Sequence, residues 1–246
     1  MREQPEQQAP PVQRLRIRYA KRGRLRFTSH RDFSRAFERA VVRARIPMAY
    51  SSGFNPHPRI SYAGAAPTGS ASEAEYLEIG LAEESDPREV QAALDEALPP
   101  GLDVLDVVVS AGSSLADRLE ASRWRLTLPG VPPDRAAAAV EQFLGTDEVP
   151  VERMTKKGLR QFDCREAVVS LASLGDPNNG AECAILHLVL RHGTPSVRPD
   201  DVLAGLREIA GLEAESAPLH ERLAQGPLDT QTGTVGDPLA PDRDAV

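Results

Sequence analysis

The polar and apolar positions of the chain change period several times, and each change marks an element. In RLRIRYA, residues 14–20, Leu15, Ile17 and Tyr19 alternate with Arg14, Arg16 and Arg18, the period-two pattern of a half-buried strand whose outer face is cationic. From Ser29 the period becomes helical. Phe33, Phe37, Ala40, Val41 and Ala44 form one buried stripe, Ser29 with Asp32 is a variant capping box, and Ile46-Pro47 closes the helix. A loop to Pro58 follows, its backbone fixed by Gly53, Pro56 and Pro58. RISYA (59–63) and EYLEIGL (75–81) are strands joined by the small-residue loop GAAPTGSAS. Asp86-Pro87 opens a second helix with Val90, Ala93, Leu94 and Ala97 inward, Pro99-Pro100 stops it, and GLDVLDVVVS is the last strand.

The order strand, helix, strand, strand, helix, strand predicts a ferredoxin-like split βαβ unit, with two helices on one face of an antiparallel sheet. After a polar linker at 111–120 the pattern repeats in outline. RWRLTLPG (123–130), EVPVERMT (148–155), CAILHLVLRHG (183–193) and LEAESAPLHERL (212–223) supply strands, and helices start at Pro132-Pro133-Asp134 and within PSVRPDDVLAGLREIAG. KKGLRQFDCREAVVSLASL fits a short helix capped by Asp163 or a strand carried by Val168-Val169; the helix is the expectation. The predicted fold class is therefore α+β, two tandem ferredoxin-like (βαββαβ) domains at 13–110 and 121–223. The Gln-, Glu- and Pro-rich residues 1–12 and the residues 224–246 have no apolar pattern and are expected to be a disordered lead-in and tail.

Charge sharpens this picture. Between Arg14 and Arg59 thirteen Arg and Lys face two acids, Asp32 and Glu38, a local balance of +11 in a chain whose net charge is -7. A field of one sign concentrated in one segment attracts polyanions while the remainder repels them, and guanidinium forks suit phosphate oxygens. Arg31, Arg35, Arg39 and Arg43 follow at i, i+4 and form a ridge on the predicted helix, with Arg24, Arg26 and Arg59 nearby in sequence. A ridge of this kind also arises as a plain solvated helix face. Asn55 and His57 in the loop SGFNPHPR, beside Tyr50 and Phe54, are candidates to read or stack on bases. Lys156, Lys157, Arg160 and Arg165 form a second basic group. The expected partner is RNA, bound without catalysis.

Other chemistries find little support. Two cysteines, Cys164 and Cys183, make neither a metal quartet nor a disulfide framework and suit a reducing cytoplasm. The histidines show no metal-ligand spacing, the Gly-rich stretches lack the Gly-Lys-Ser/Thr of a phosphate loop, and no apolar run has the length of a membrane span or a signal core. No cofactor is expected. His30 and His57 are candidates for acid and base in a metal-free endoribonuclease, with Arg24, Arg26 or Lys157 stabilising the phosphorane. A protein adaptor with a basic docking face is a third reading.

FTSHRDFSRAFERAVVRARIP, SGFNPHPRISYA, EYLEIGL, KKGLRQFDCRE and HGTPSVRPDDVL, in this order, resemble the radical-SAM-linked protein family, a group described mainly as a domain of unknown function, over residues 13–215. In that family the domain is often fused behind a radical SAM module; in some bacteria it stands alone, commonly beside genes for an RNase E/G-type ribonuclease and ribosomal proteins. The resemblance implies an association with RNA metabolism and a separate radical SAM enzyme or ribonuclease as partner. The chain lacks the C-x-x-x-C-x-x-C cluster of the fused form and cannot hold that iron-sulfur centre itself.

Overall fold

A computed structural model of the chain describes residues 7–155, 158–174 and 183–245. The chain is mixed α/β with mostly antiparallel sheet, and divides into two compact units, residues 1–118 with 238–246, and residues 119–237.

The first unit begins with β1 (Gln13–Lys21), a short 3-10 helix (Gly23–Phe27) and α1 (His30–Arg43). It continues through β2 (Ile60–Ala63), β3 (Ala71–Leu81), α2 (Pro87–Ala97) and β4 (Val104–Val109). The strands lie in the order β4-β1-β3, with β2 against β3, every pairing antiparallel. Leu15, Ile17 and Tyr19 of β1, Leu77 and Ile79 of β3, Phe33, Phe37 and Val41 of α1, and Val90 and Leu94 of α2 form one core. Alternation on the strands and 3.6-residue spacing on the helices put these side chains on facing surfaces. Ser29 caps α1 by accepting from the Asp32 N–H at 3.2 Å, and Asp86 caps α2 by accepting from the Arg88 N–H at 2.7 Å.

The second unit runs β5 (Ala121–Pro129), α3 (Pro133–Leu144), β6 (Pro150–Thr155), β7 (Gly158–Asp163) and β8 (Val168–Leu174). β9 (Cys183–Arg191), α4 (Pro199–Ala210) and β10 (Leu219–Gly226) follow. Its main sheet has the order β10-β5-β9-β8, again antiparallel throughout. Gly205 lets α4 approach closely: a Cβ there would stand 2.8 Å from Val149 and 2.9 Å from Phe143.

Several expectations need correction. The strand at 150–155 does not enter the main sheet; it pairs with β7 as a separate hairpin. No helix follows Asp163, whose carboxylate instead accepts from the N–H groups of Val149, Arg165 and Glu166 and holds a turn. Val168, Val169 and Leu171 then continue as β8, the β-branched alternative in that stretch. The linker forms only a 3-10 turn at Ala116–Arg118, between buried Leu115 and Leu119. Of the lead-in, residues 7–12 have no regular structure, yet the Val12 N–H donates to the Leu81 carbonyl at 2.8 Å. Residues 1–6 lie outside the described residues.

The tail differs most. Residues 224–226 complete β10, β11 (Leu228–Asp229) pairs with β12 (Thr234–Val235), and α5 (Ala240–Arg243) packs in the first unit. Leu239 and Asp242 are fully buried. A single buried aspartate and leucine leave no periodic signal, which is why composition alone suggested disorder.

Candidate nucleic-acid interface

The basic segment of the first unit separates into two groups. The β1 arginines are consumed internally, which corrects the expectation of a cationic outer face. Arg16 is 1% exposed: its Nε donates to Glu78 at 3.0 Å and its Nη1 to both Asp242 oxygens at 2.8 and 2.9 Å. Arg14 pairs with Glu78 at 2.9 Å and Arg18 donates to the Glu73 carbonyl at 2.8 Å. Arg22, at the end of β1, pairs with Glu73 and with Asp103. Arg118 and the Ala111 N–H complete the shell around Asp242, at 2.7 and 2.9 Å. Burial pushes the Asp242 and Glu78 carboxyls up, but their arginine partners and hydrogen bonds outweigh it and hold both below the usual carboxylate range.

The second group is different. Arg24, Arg31, Arg35, Arg39 and Arg45 are exposed and have no side-chain partner among the described residues. Their placement works against the helix that carries them. Like charges at i, i+4 cost about 0.2–0.5 kcal/mol per pair, and Arg31 lies in the first turn, at the positive end of the helix dipole. Arg45 sits just past α1 at φ 54°, the left-handed region where glycine usually ends a helix. The remaining predicted arginines of this unit are partly engaged. Arg26 stands over the Phe27 ring at 4.7 Å, Arg43 donates to the Ala97 carbonyl at 3.1 Å, and Arg59 donates to the Tyr50 carbonyl at 3.1 Å.

The loop after α1 folds back on itself through a bridge between Tyr50 and Pro58. Its base is tied to β3: Ala49 donates to the Gly80 carbonyl, and the Gly80 N–H to the Arg59 carbonyl at 2.9 Å. A Cβ on Gly80 would stand 3.0 Å from Pro11 and 3.3 Å from Arg59, so any larger residue would press on both crossing segments. The tip presents Phe54, 68% exposed, with Asn55 and His57 also in solvent. Phe27 and Tyr50 are further exposed aromatics of this unit.

The two candidate histidines are not joined by any contact among the described residues. His30 is exposed at the start of α1, its ring edge-on to Tyr62 at 4.8 Å. Burial raises the Tyr62 hydroxyl above its ordinary value. His57 is held through its backbone, donating to Ser51 Oγ at 3.0 Å and accepting from the Ser51 N–H at 2.9 Å. Its imidazole has no partner among the described residues.

The second basic group is described only at Arg160 and Arg165. Lys156 and Lys157 lie outside the described residues. Arg160 is exposed on β7, but Arg165 spends its guanidinium on the carbonyls of Val168 (3.2 Å) and Leu144 (3.5 Å). Burial pushes the Cys164 thiol up to about 12, which makes it a poor nucleophile. Among the described residues no group of three or more His, Cys, Asp and Glu side chains gathers as metal ligands, and no helix is long and apolar enough to cross a membrane.

Sequence reasoning missed Arg45, Phe27 and Asp242. The first had a readable signal, a helix that must stop before Ile46-Pro47 without a glycine to stop it.

A mixed α/β chain of two units with this arginine-rich first unit belongs to the family described as "Uncharacterized protein conserved in bacteria" (DUF2344), whose model matches residues 14–199. Comparison with curated proteins gave no match. Among solved structures, the chain is similar at 9% identity and a TM-score of 0.47 to one titled "Crystal Structure of a Cbf5-Nop10-Gar1 Complex". That similarity covers 91% of this chain and 55% of the other, so the chain spans about half the length of that relative. An unknown protein from Galdieria sulphuraria is similar at 15% identity and a TM-score of 0.24, with 85% and 98% of the two chains covered.

Proposed function

We propose that the chain is a non-catalytic RNA-binding protein that captures single-stranded RNA on the first unit and presents it to a separate modifying or processing enzyme. One observation carries this reading: Arg24, Arg31, Arg35, Arg39 and Arg45 stay exposed and without a side-chain partner among the described residues, whereas Arg14, Arg16, Arg18, Arg22, Arg43 and Arg59 of the same segment are matched with carboxylates or carbonyls. A helix that tolerates repulsion along its own face and a left-handed arginine at its end is retained for a polyanionic ligand. Exposed Phe54, Tyr50 and Phe27 add rings on which bases stack, a contribution of about 1–3 kcal/mol per base in single-strand binders.

The finer assignments belong to the same proposal. Both units are ferredoxin-like: within each, the first strand lies between the third and the fourth, and the second pairs with the third, if β6–β7 is counted as an insertion. The partner enzyme is a radical SAM protein or a ribonuclease, supported by the motif resemblance and by a chain with only two distant cysteines. The setting is the bacterial cytoplasm.

The test is binding of labelled total cellular RNA to the wild type and to Arg35→Ala/Arg39→Ala at several salt concentrations. Tight binding that weakens steeply with salt, falls in the variant and leaves the RNA intact is the expected result. Cleavage abolished by His30→Ala or His57→Ala would turn the reading to an endoribonuclease. Absence of binding at low salt would leave the ridge as a docking face for protein.

A further inference from the structure

The sheet of the second unit has one face packed against its helices, and on the other face Arg123, Arg125, Leu174 and Leu219 are exposed. Trp124, Leu126 and Leu128 of β5 and Leu186, Leu188 and Leu190 of β9 are buried in the core. The alternate positions line up in rows on the other face. Leu219, Thr127, Ile185 and Leu174 are directly opposite one another across β10, β5, β9 and β8, and the next row is Glu221, Arg125, His187 and Ala172. Arg123 begins a third row. Leu219 and Leu174 are 45% and 50% exposed, so the first row is an apolar strip in solvent.

The first unit shows how the corresponding face of its own first strand is completed. There Arg16 pairs with a glutamate on the neighbouring strand, Glu78, and is capped from outside the sheet by an aspartate on a short helical turn, Asp242. In the second unit Arg125 pairs with a glutamate on the neighbouring strand, Glu221, but its Nε and Nη1 have no partner among the described residues. Arg123 is exposed with no side-chain partner among them. The second unit therefore has the arginine and the in-sheet glutamate, and among the described residues no capping carboxylate.

We propose that this face is the docking site for a short acidic amphipathic helix of a partner protein. The spacing fits. Successive rows of a sheet face are about 6.6 Å apart along a strand, close to the 5.4 Å pitch of an α-helix. A helix lying along β5 would place an apolar side chain on the Leu219–Leu174 row and carboxylates one and two turns on against Arg125 and Arg123, a pattern of apolar-x-x-x-acid-x-x-x-acid. RNA is the poorer occupant, because the face leads with an apolar row and carries the Glu221 carboxylate beside Arg125, which a phosphate would meet unfavourably. This inference goes beyond the RNA reading and stands on the second unit alone, whether or not α1 binds RNA.

The experiment titrates the full chain with a synthetic helical peptide carrying leucine, glutamate and aspartate at three successive turns, and with a control peptide in which both acids are amides. The acidic peptide is expected to bind, with affinity at least about tenfold weaker for Arg123→Glu and for Leu174→Asp and unchanged for Arg35→Ala/Arg39→Ala, which breaks only the α1 ridge. Both substituted side chains are exposed, and thermal unfolding checks that each variant is folded as the wild type is. No binding of the acidic peptide, equal binding of the amide control, or RNA in place of peptide protecting Arg123 from chemical modification would each overturn the proposal.

Discussion

β1 and α1, separated by the short 3-10 helix, are both rich in arginine, and they use it in opposite ways. On β1 the guanidinium of Arg16 is sealed beneath Asp242 and Glu78, and Arg14 and Arg18 are tied to β3. On α1 the side chains of Arg31, Arg35 and Arg39 are exposed, with no partner among the described residues. The difference teaches that a net charge of +11 over a segment is not a charge available to a ligand. What a polyanion meets is the remainder after internal pairing, and that remainder is concentrated on one helix and the residues at its two ends.

The strongest way to break the contrast is to remove the cap from β1. Asp242→Ala leaves Arg16 buried without its bidentate partner, and loss of one member of a buried pair costs about 3–5 kcal/mol, to be read as a lower urea midpoint. Acid acts on the same contact. Because the folded Asp242 and Glu78 are held below their unfolded values, the stability they provide is complete above the ordinary carboxylate range and is lost as the pH falls through the folded values. Urea midpoints measured from neutral pH downward should therefore drop in the acid range, and less so in Asp242→Asn. A midpoint independent of pH would show that the cluster contributes nothing.

On α1 the expectation is reversed, with function lost and stability kept. Arg35→Ala/Arg39→Ala should lower the slope of log affinity against log salt by about 1.4, from two lost phosphate contacts at about 0.7 each, and leave the unfolding free energy within about 0.5 kcal/mol. Arg45→Gly sharpens the same point: relieving the left-handed arginine should raise stability by roughly 0.5–1 kcal/mol while weakening RNA binding. Ser29→Ala, which removes the cap without touching a cation, should cost about 1 kcal/mol and change affinity little. The smallest effect is expected from His30→Ala and His57→Ala, which should leave bound RNA uncut, as in the wild type, when analysed on a denaturing gel.

Much of the first unit was legible in the sequence because its elements are short-range statements. Alternation at Leu15, Ile17 and Tyr19, helical spacing from Phe33 to Val41, and the caps at Ser29 and Asp86 each sit in one window of the chain. The second unit was harder where two local preferences competed. Asp163 caps a turn as readily as a helix, and only pairing with β9, the next strand, settled Val168–Leu174 as strand. For the candidate site, the exposed ridge on α1 followed from period alone, whereas the fate of Arg16 depended on Asp242, 226 residues away, a partner no local pattern could announce. Lys156 and Lys157 lie outside the described residues, and the carbonyl acceptors of Arg165 leave no trace in composition.

The return of residues 238–246 to the first unit also sets an order of events during synthesis. The 119 residues of the second unit are made between β4 and α5, which at 5–20 residues per second is a delay on the order of ten seconds. Throughout that interval the nascent first unit carries Arg16 without its aspartate. Glu78 is already in place on β3, so α5 supplies the last carboxylate of the cluster around Arg16.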